Sequence, residues 1–169
     1  MNDDHSRISL FRLAPEPEGS EKLALRYASH LSELLNTDTG LPESIRGTSS
    51  RRDETPEHFL SYVSEWCKAK HALNFAVLLD GEIAIGNMSL SHIDIEAKTA
   101  RTGCFFSSRH EGVGYAAYAF AKLIETARNL GIKSVSGDIP DIALVESSIW
   151  EECGAEIEVS EREVRAGII

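Results

Sequence analysis

An α+β fold, with a mixed and mostly antiparallel sheet flanked by helices, is predicted by three observations on this chain of 169 residues. Alternating apolar runs cluster in the middle, helical repeats lie on either side of them, and strand and helix patterns interleave towards the C-terminus in the order βααβββαβαββ. The length is that of one domain, so a single domain over residues 1–169 with a genuine core is expected. At 42% hydrophobic and 26% charged the composition is that of a soluble globular protein, and no apolar run approaches the ~18 residues that a membrane span needs.

The elements follow in order. RISLFRL, residues 7–13, alternates as a short strand, and PEPEG breaks the chain before a helical repeat on Leu23, Tyr27, Leu31, Leu34 and Leu35. Asn36 to Glu54 carries turn and polar residues without periodicity and reads as one long loop. Thr55, Pro56 and Glu57 are a helix-start signature, with Phe59, Val63, Trp66 and Cys67 lining one face of the helix that follows. The runs LNFAVLLDGEIAIGNMSLSHIDIE and KTARTGCFFSS make three strands of an antiparallel meander, pinned by the turns Asp80-Gly81 and Glu96-Ala97. From Gly114 the positions Ala117, Phe120, Ala121, Ile124 and Ala127 repeat at helical spacing, and Gly131 after Leu130 is a C-terminal stop. IKSVSGD then reads as a strand, DIALVESSIWEEC as a helix, and AEIEV with REVRAGII as a last strand pair whose edge offers a surface for a homodimer.

Composition also sorts functions. The N-terminus MNDDHSRISLF is acidic and polar where a secretory leader is basic and then apolar, so a cytoplasmic location is expected. Cys67, Cys104 and Cys153 are odd in number and have no CxxC spacing, which argues against a disulfide framework or a metal site and leaves them as small buried hydrophobes. A net charge of −10 disfavours nucleic acid as a partner and mildly favours cationic small molecules or basic peptides.

One stretch asks for chemistry. In RHEGVGYAAYAF, residues 109–120, Gly112 and Gly114 stand at a helix entrance, although a glycine inside a helix costs roughly 1 kcal/mol against alanine. A strand that runs through a bare glycine turn into a helix aims unpaired main-chain N–H groups at whatever lies beyond the strand end, which suits an anion such as a diphosphate. A plain flexible turn satisfies the same pattern. Two phosphate motifs are excluded: no GKS or GKT follows as a Walker loop requires, and the third glycine and parallel βαβ unit of a dinucleotide fingerprint are missing.

The arrangement resembles the Gcn5-related N-acetyltransferase (GNAT) superfamily, in particular its branch similar to ribosomal-protein N-terminal acetyltransferases. The likeness rests on Gly103 standing nine positions before Gly112, on the sequence GVGYA from Gly112, and on the meander with its Asp80-Gly81 turn upstream. It covers most of the chain and implies an acyl-CoA N-acyltransferase fold. The family's [QR]xxGx[GA] loop, whose amides hold the pyrophosphate of acetyl-CoA, fits in two registers. Arg109 to Gly114 matches literally, whereas the spacing and the ending YA favour Glu111, Gly112, Val113, Gly114, Tyr115 and Ala116, with Glu111 in the Gln/Arg slot. A carboxylate about 4 Å from a phosphate charge costs roughly 1 kcal/mol in water-like surroundings and about 4 at an effective dielectric of 20, so Glu111 weakens such a site without forbidding it.

The resemblance also implies that main-chain amides of Cys104, Phe105 and Phe106 hold the pantetheine arm and polarise the thioester carbonyl. The family's last-helix motif NxxSxxxYxxxGF falls on Ala143, Glu146, Trp150, Gly154 and Ala155, so the usual tyrosine acid is absent and an indole cannot replace it. Arg101 stands where many relatives carry an acidic residue. An ammonium of pKa near 10 loses its proton at a cost of about 4 kcal/mol at pH 7, and His92, at the end of the third strand, is the candidate base, although a solvated strand-end histidine satisfies the same pattern. His110 lies in the loop itself, where it suits phosphate, and His58 and His71 read as surface residues. Two functions stay open: an N-acetyltransferase that moves the acetyl group of acetyl-CoA to a small amine or a peptide N-terminus, and a degenerate member that binds CoA or a partner without catalysis.

Overall fold

The computed structural model describes residues 7–41, 53–110, 114–138, 155–159 and 163–168. Its elements are β1 (Ile8–Ala14), α1 (Glu21–Thr37), α2 (Pro56–Lys70), β2 (Leu73–Leu79), β3 (Ile83–Asp94), β4 (Thr99–Phe106), α3 (Tyr115–Asn129), β5 (Ser134–Asp138), β6 (Ala155–Val159) and β7 (Glu163–Ile168). The strands form one sheet in the order β1-β2-β3-β4-β5-β7-β6. Every pairing is antiparallel except β4 with β5. That one parallel pair needs a crossover, and α3 supplies it. The expected α+β class and the order of the described elements hold. The helix expected over DIALVESSIWEEC lies outside the described residues.

Local chemistry sets the element ends. Thr55 caps α2 by accepting the His58 N–H at 3.2 Å, with Pro56 in the first turn where its missing N–H is no loss. Asp80 and Gly81 both take left-handed conformations (φ 56° and 68°) at the centre of the tight turn closed by the Glu82 N–H on the Leu79 carbonyl at 3.1 Å, in the three-residue connection between β2 and β3. Gly131 (φ 83°) stops α3 as expected. Among the described strands, the member of the expected last pair that stands at the sheet edge is β6, the AEIEV strand, with β7 between it and β5.

The sheet divides the interior in two. On one face α3 lays Ala119, Phe120, Leu123 and Ile124 over Val77, Met88, Leu90 and Val135. On the other, α1 and α2 cover Leu13, Ala76, Leu78 and Ala84 with Tyr27, Leu31, Phe59 and Val63. Alternation along β4 follows, Cys104 and Phe106 facing α3 and Phe105 the two N-terminal helices. No described helix is long and apolar enough to cross a membrane.

Candidate active site

β4 is the strand on which the site depends. It pairs with β3 along its whole length, from Thr99 opposite Asp94 to Phe106 opposite Gly86. With β5 it pairs only at Thr99, Ala100 and Arg101, opposite Ser134, Val135 and Ser136. β5 continues through Gly137 and Asp138 but follows β7 instead. The two parallel strands therefore part after Arg101, and β4 runs on from Thr102 to Phe106 beyond its last pairing with β5. Unpaired strand edges carry donors and acceptors that seek another main chain or an amide-bearing ligand.

Beyond the wide end of this wedge the chain goes on through Ser108–His110, and the next described element is α3. Gly114 holds φ 83° and supplies no side-chain cap. The first helical hydrogen bond runs from the Tyr118 N–H to the Gly114 carbonyl at 3.3 Å, so the N–H groups of Tyr115, Ala116 and Ala117 have no acceptor inside the helix. Such a terminus attracts negative charge. Tyr115 is turned away from it: its hydroxyl accepts from Arg7 Nη1 at 3.1 Å, and the Arg7 guanidinium lies 5.8 Å from its ring centre. Arg7 also forms a two-point pair with Asp80, at 2.9 and 3.0 Å.

Among the described residues two buried polar atoms have no hydrogen-bond partner, Thr102 Oγ1 and His110 Nδ1. Thr102 is 8% exposed and is the first residue of β4 beyond its last pairing with β5. A buried hydroxyl left unpaired costs about 1–3 kcal/mol, which a ligand placed there recovers. The His110 ring lies 6.1 Å from that of Tyr115, at the foot of the turn. Beside it a cleft of about 490 Å³ opens between α1 and the Ser108–His110 turn, with His30, Glu33 and Asp38 on the helix side and Arg109 and His110 opposite. His30 Nδ1 accepts the Ala84 N–H at 3.1 Å, so its proton sits on Nε2. Burial, with Arg26 beside it, lowers its pKa, and Glu33 opposes the shift.

Of the residues singled out by sequence, Cys104, Phe105 and Phe106 lie on β4 beyond its last pairing with β5, and Gly114, Tyr115 and Ala116 form the start of α3. Glu111, Gly112 and Val113 lie outside the described residues, as do Trp150 and the rest of the last-helix motif. His92 is exposed, in a bulge of β3 with φ 51°, its Nδ1 3.0 Å from Ser91 Oγ. Ser91 pairs with Arg101, the last β4 residue bound to β5, which puts His92 beside the closed end of the wedge. His58 and His71 are on the surface, and Asp94 caps its turn by accepting the Ala97 N–H.

Cys67 is buried as expected, whereas Cys104 is partly exposed and Cys153 lies outside the described residues. Burial pushes the Cys67 thiol up to about 11. A thiol reagent at pH 8 is therefore expected to leave Cys67 unmodified in the folded protein. Peptide mapping that finds it labelled as fast as in the unfolded chain contradicts this.

Sequence reasoning missed Asp38 and Arg7. Both act on partners far along the chain, so no local pattern marks them. Among the described residues no cluster of metal-binding side chains occurs.

The sequence model of the GNAT acetyltransferase domain matches residues 23–154. No curated protein sequence matches the chain significantly. Solved structures share its fold. One is a spermidine N-acetyltransferase chimera of SpeG from Vibrio cholerae and hSSAT, at 16% identity over 96% of this chain and 95% of that one, TM-score 0.58. Another is the microcin C7 self-immunity acetyltransferase MccE, solved with acetyl-CoA and AMP, at 20% identity over 86% and 89%, TM-score 0.60. A third is RimL, the ribosomal L7/L12 α-N-protein acetyltransferase, solved with CoA, at 13% identity over 96% and 93%, TM-score 0.53. A family match over residues 23–154, on a sheet whose fourth strand parts from its fifth beside an uncapped helix, places the chain in the GNAT acetyltransferase family, with acetyl-CoA as co-substrate.

Proposed function

We propose that the protein transfers the acetyl group of acetyl-CoA to a primary amine, a peptide N-terminus or a small amine, by direct attack of the amine on the thioester with both substrates bound. One observation carries this reading: β4 loses its β5 partner after Arg101, and the helix that follows it starts with N–H groups for which the described residues offer no side-chain cap. Acetyl-CoA has the matching shape, an amide-bearing pantetheine arm that ends in a pyrophosphate. The amides of Cys104, Phe105 and Phe106 hold that arm and polarise the thioester carbonyl. The turn from Glu111 to Ala116 receives the pyrophosphate. Thr102, whose buried hydroxyl has no partner among the described residues, offers hydrogen-bonding capacity at the first position beyond that pairing. His92 takes the proton of the attacking ammonium, and the CoA thiolate leaves without a side-chain acid.

Acceptors acted on by relatives in this fold, spermidine for SpeG and a protein N-terminus for RimL, are both primary amines. Acetyl-CoA at about 100 times its dissociation constant adds roughly 2.7 kcal/mol, which for a chain of this size raises the melting midpoint by about 5 to 11 °C. ATP and NAD at the same concentration are expected to leave it unmoved. Thiol release is then measured across peptides with free N-termini and polyamines. No midpoint shift with acetyl-CoA overturns the reading, and a shift with no thiol release from any acceptor supports a CoA-binding module instead.

A further inference from the structure

Asp38 sits where an aspartate is electrostatically out of place. It follows directly on the last residue of α1, where the helix dipole presents its negative end and an acidic side chain costs a few tenths to about 1 kcal/mol. Its carboxylate is nonetheless fixed. Oδ2 accepts the Ser108 N–H at 2.8 Å, and Oδ1 accepts the Ser108 hydroxyl at 2.5 Å and the Gly40 N–H at 3.0 Å. Burial raises the Asp38 pKa, but the two Ser108 hydrogen bonds, the Gly40 N–H and the charge of Arg109 outweigh it and hold the group below its ordinary value. The carboxylate is therefore ionised at neutral pH, and its hydrogen bonds are of the stronger, charge-assisted kind.

Ser108 opens the turn Ser108–His110, which follows the end of β4. The neighbouring bonds reinforce the same point. Ser107 N–H donates to the Ile85 carbonyl at 2.7 Å, and His110 N–H donates to the Ser107 carbonyl at 3.0 Å. Gly40 packs so closely that a Cβ on it would stand 2.5 Å from Ser108 Cβ. The end of a helix on one face of the sheet thus fixes the exit of β4, 70 residues later in the chain.

We propose that Asp38 is a positioning residue for the donor site: by holding Ser108 it fixes the exit of β4 and the Ser108–His110 turn that carries His110, and so governs binding of the phosphate-bearing donor without touching it. The proposal rests on the reading that the pyrophosphate of acetyl-CoA binds between this exit and the start of α3. It makes the α1 terminus part of the donor site, although α1 lies on the face opposite α3.

The test compares two donors, acetyl-CoA and S-acetylpantetheine, which carries the same thioester arm and no phosphate. Affinities are measured for the wild type, Asp38→Ala, Asp38→Asn and Gly40→Ala, with the melting midpoint recorded for each. Loss of the charge-assisted bonds in Asp38→Ala is expected to lower the preference for acetyl-CoA over S-acetylpantetheine about tenfold. Asp38→Asn, which keeps one acceptor oxygen, falls between. Gly40→Ala lowers the same preference with Asp38 intact, because its Cβ displaces Ser108. A structural role alone weakens both donors in parallel with the midpoint and leaves the preference unchanged, and that result overturns the proposal. Should Asp38→Ala fail to fold, the Asn and Gly40 variants decide by the same ratio. A wild-type chain that binds S-acetylpantetheine and acetyl-CoA equally well defeats the pyrophosphate reading itself, and is told apart by being seen before any substitution is made.

Discussion

Replacing His92 by alanine is expected to slow acyl transfer at pH 7 by at least about a hundredfold, the lower end of what a positioned base contributes. The attacking group is an ammonium in solution and a nucleophile only after it loses a proton. Arg101 binds β4 to β5 for the last time and pairs with Ser91, so His92 lies one residue from the point where the two strands part. Its left-handed backbone turns it out of the regular alternation of β3, and exposure leaves a path for the proton to solvent. The rate deficit of His92→Ala should narrow as pH rises through the pKa of the acceptor itself, about 8 for a peptide N-terminus and about 10 for an alkyl amine, because the free amine then forms without help. A deficit that stays constant over that range marks a structural effect, and a loss below twofold at pH 7 removes His92 from the mechanism. The pH at which the deficit closes also reports which kind of amine the enzyme acylates.

Much of the fold was legible because its signals are local. Thr55 with Pro56, Asp80 with Gly81, and Gly131 after Leu130 each act within one turn of chain, and each is found where the sequence puts it. The helix face Ala117, Phe120, Ala121, Ile124 and Ala127 was legible for the same reason, since one periodicity decides it. Helix α1 was only partly so. Leu23 belongs to the expected apolar face but is 44% exposed, whereas Ala24 and Ala28 are fully buried. The helix approaches α2 and the sheet closely, and side-chain size at the contact, which depends on the partner, selects alanine. Likewise Asn36 and Thr37 read as loop but continue α1, because the turn-forming residues after them mask its last turn.

The site was legible where it is made of main chain and illegible where it is made of long-range contacts. Residues 104–106 could be assigned to the end of a strand and 114–116 to the start of a helix because apolar alternation and a glycine before a helical repeat mark both locally. The parting of β4 from β5 could not, since a sequence shows which runs are extended and not how far two of them stay paired. Asp38 was hidden in what read as polar loop, and its partner Ser108 lies in a turn with no signal of its own. Arg7 and Tyr115, 108 residues apart, meet only because the fold brings the starts of β1 and α3 together.

Phe120→Ala is expected to destabilise the protein by about 3–5 kcal/mol, the range for truncating a buried aromatic side chain. Phe120 is 2% exposed and the largest fully buried side chain of the core beneath α3, among Phe75, Val77, Leu123 and Ile124. Strands on one side and a helix backbone on the other leave that layer little freedom to collapse into the space vacated. For a chain of this length the loss lowers the melting midpoint by roughly 6 to 20 °C, readable by calorimetry or circular dichroism. The same substitution also tests how the site is built. Phe120 lies three residues beyond the last of the N–H groups of Tyr115 to Ala117 and faces the core, so if those groups bind the pyrophosphate through local backbone geometry, acetyl-CoA should still raise the lowered midpoint by its wild-type increment. A midpoint drop below about 3 °C, under the few degrees per kcal/mol that a core truncation implies, would mean that the layer repacks. A normal drop with the ligand increment abolished would mean that the start of α3 is held in place by this core rather than by its own turn.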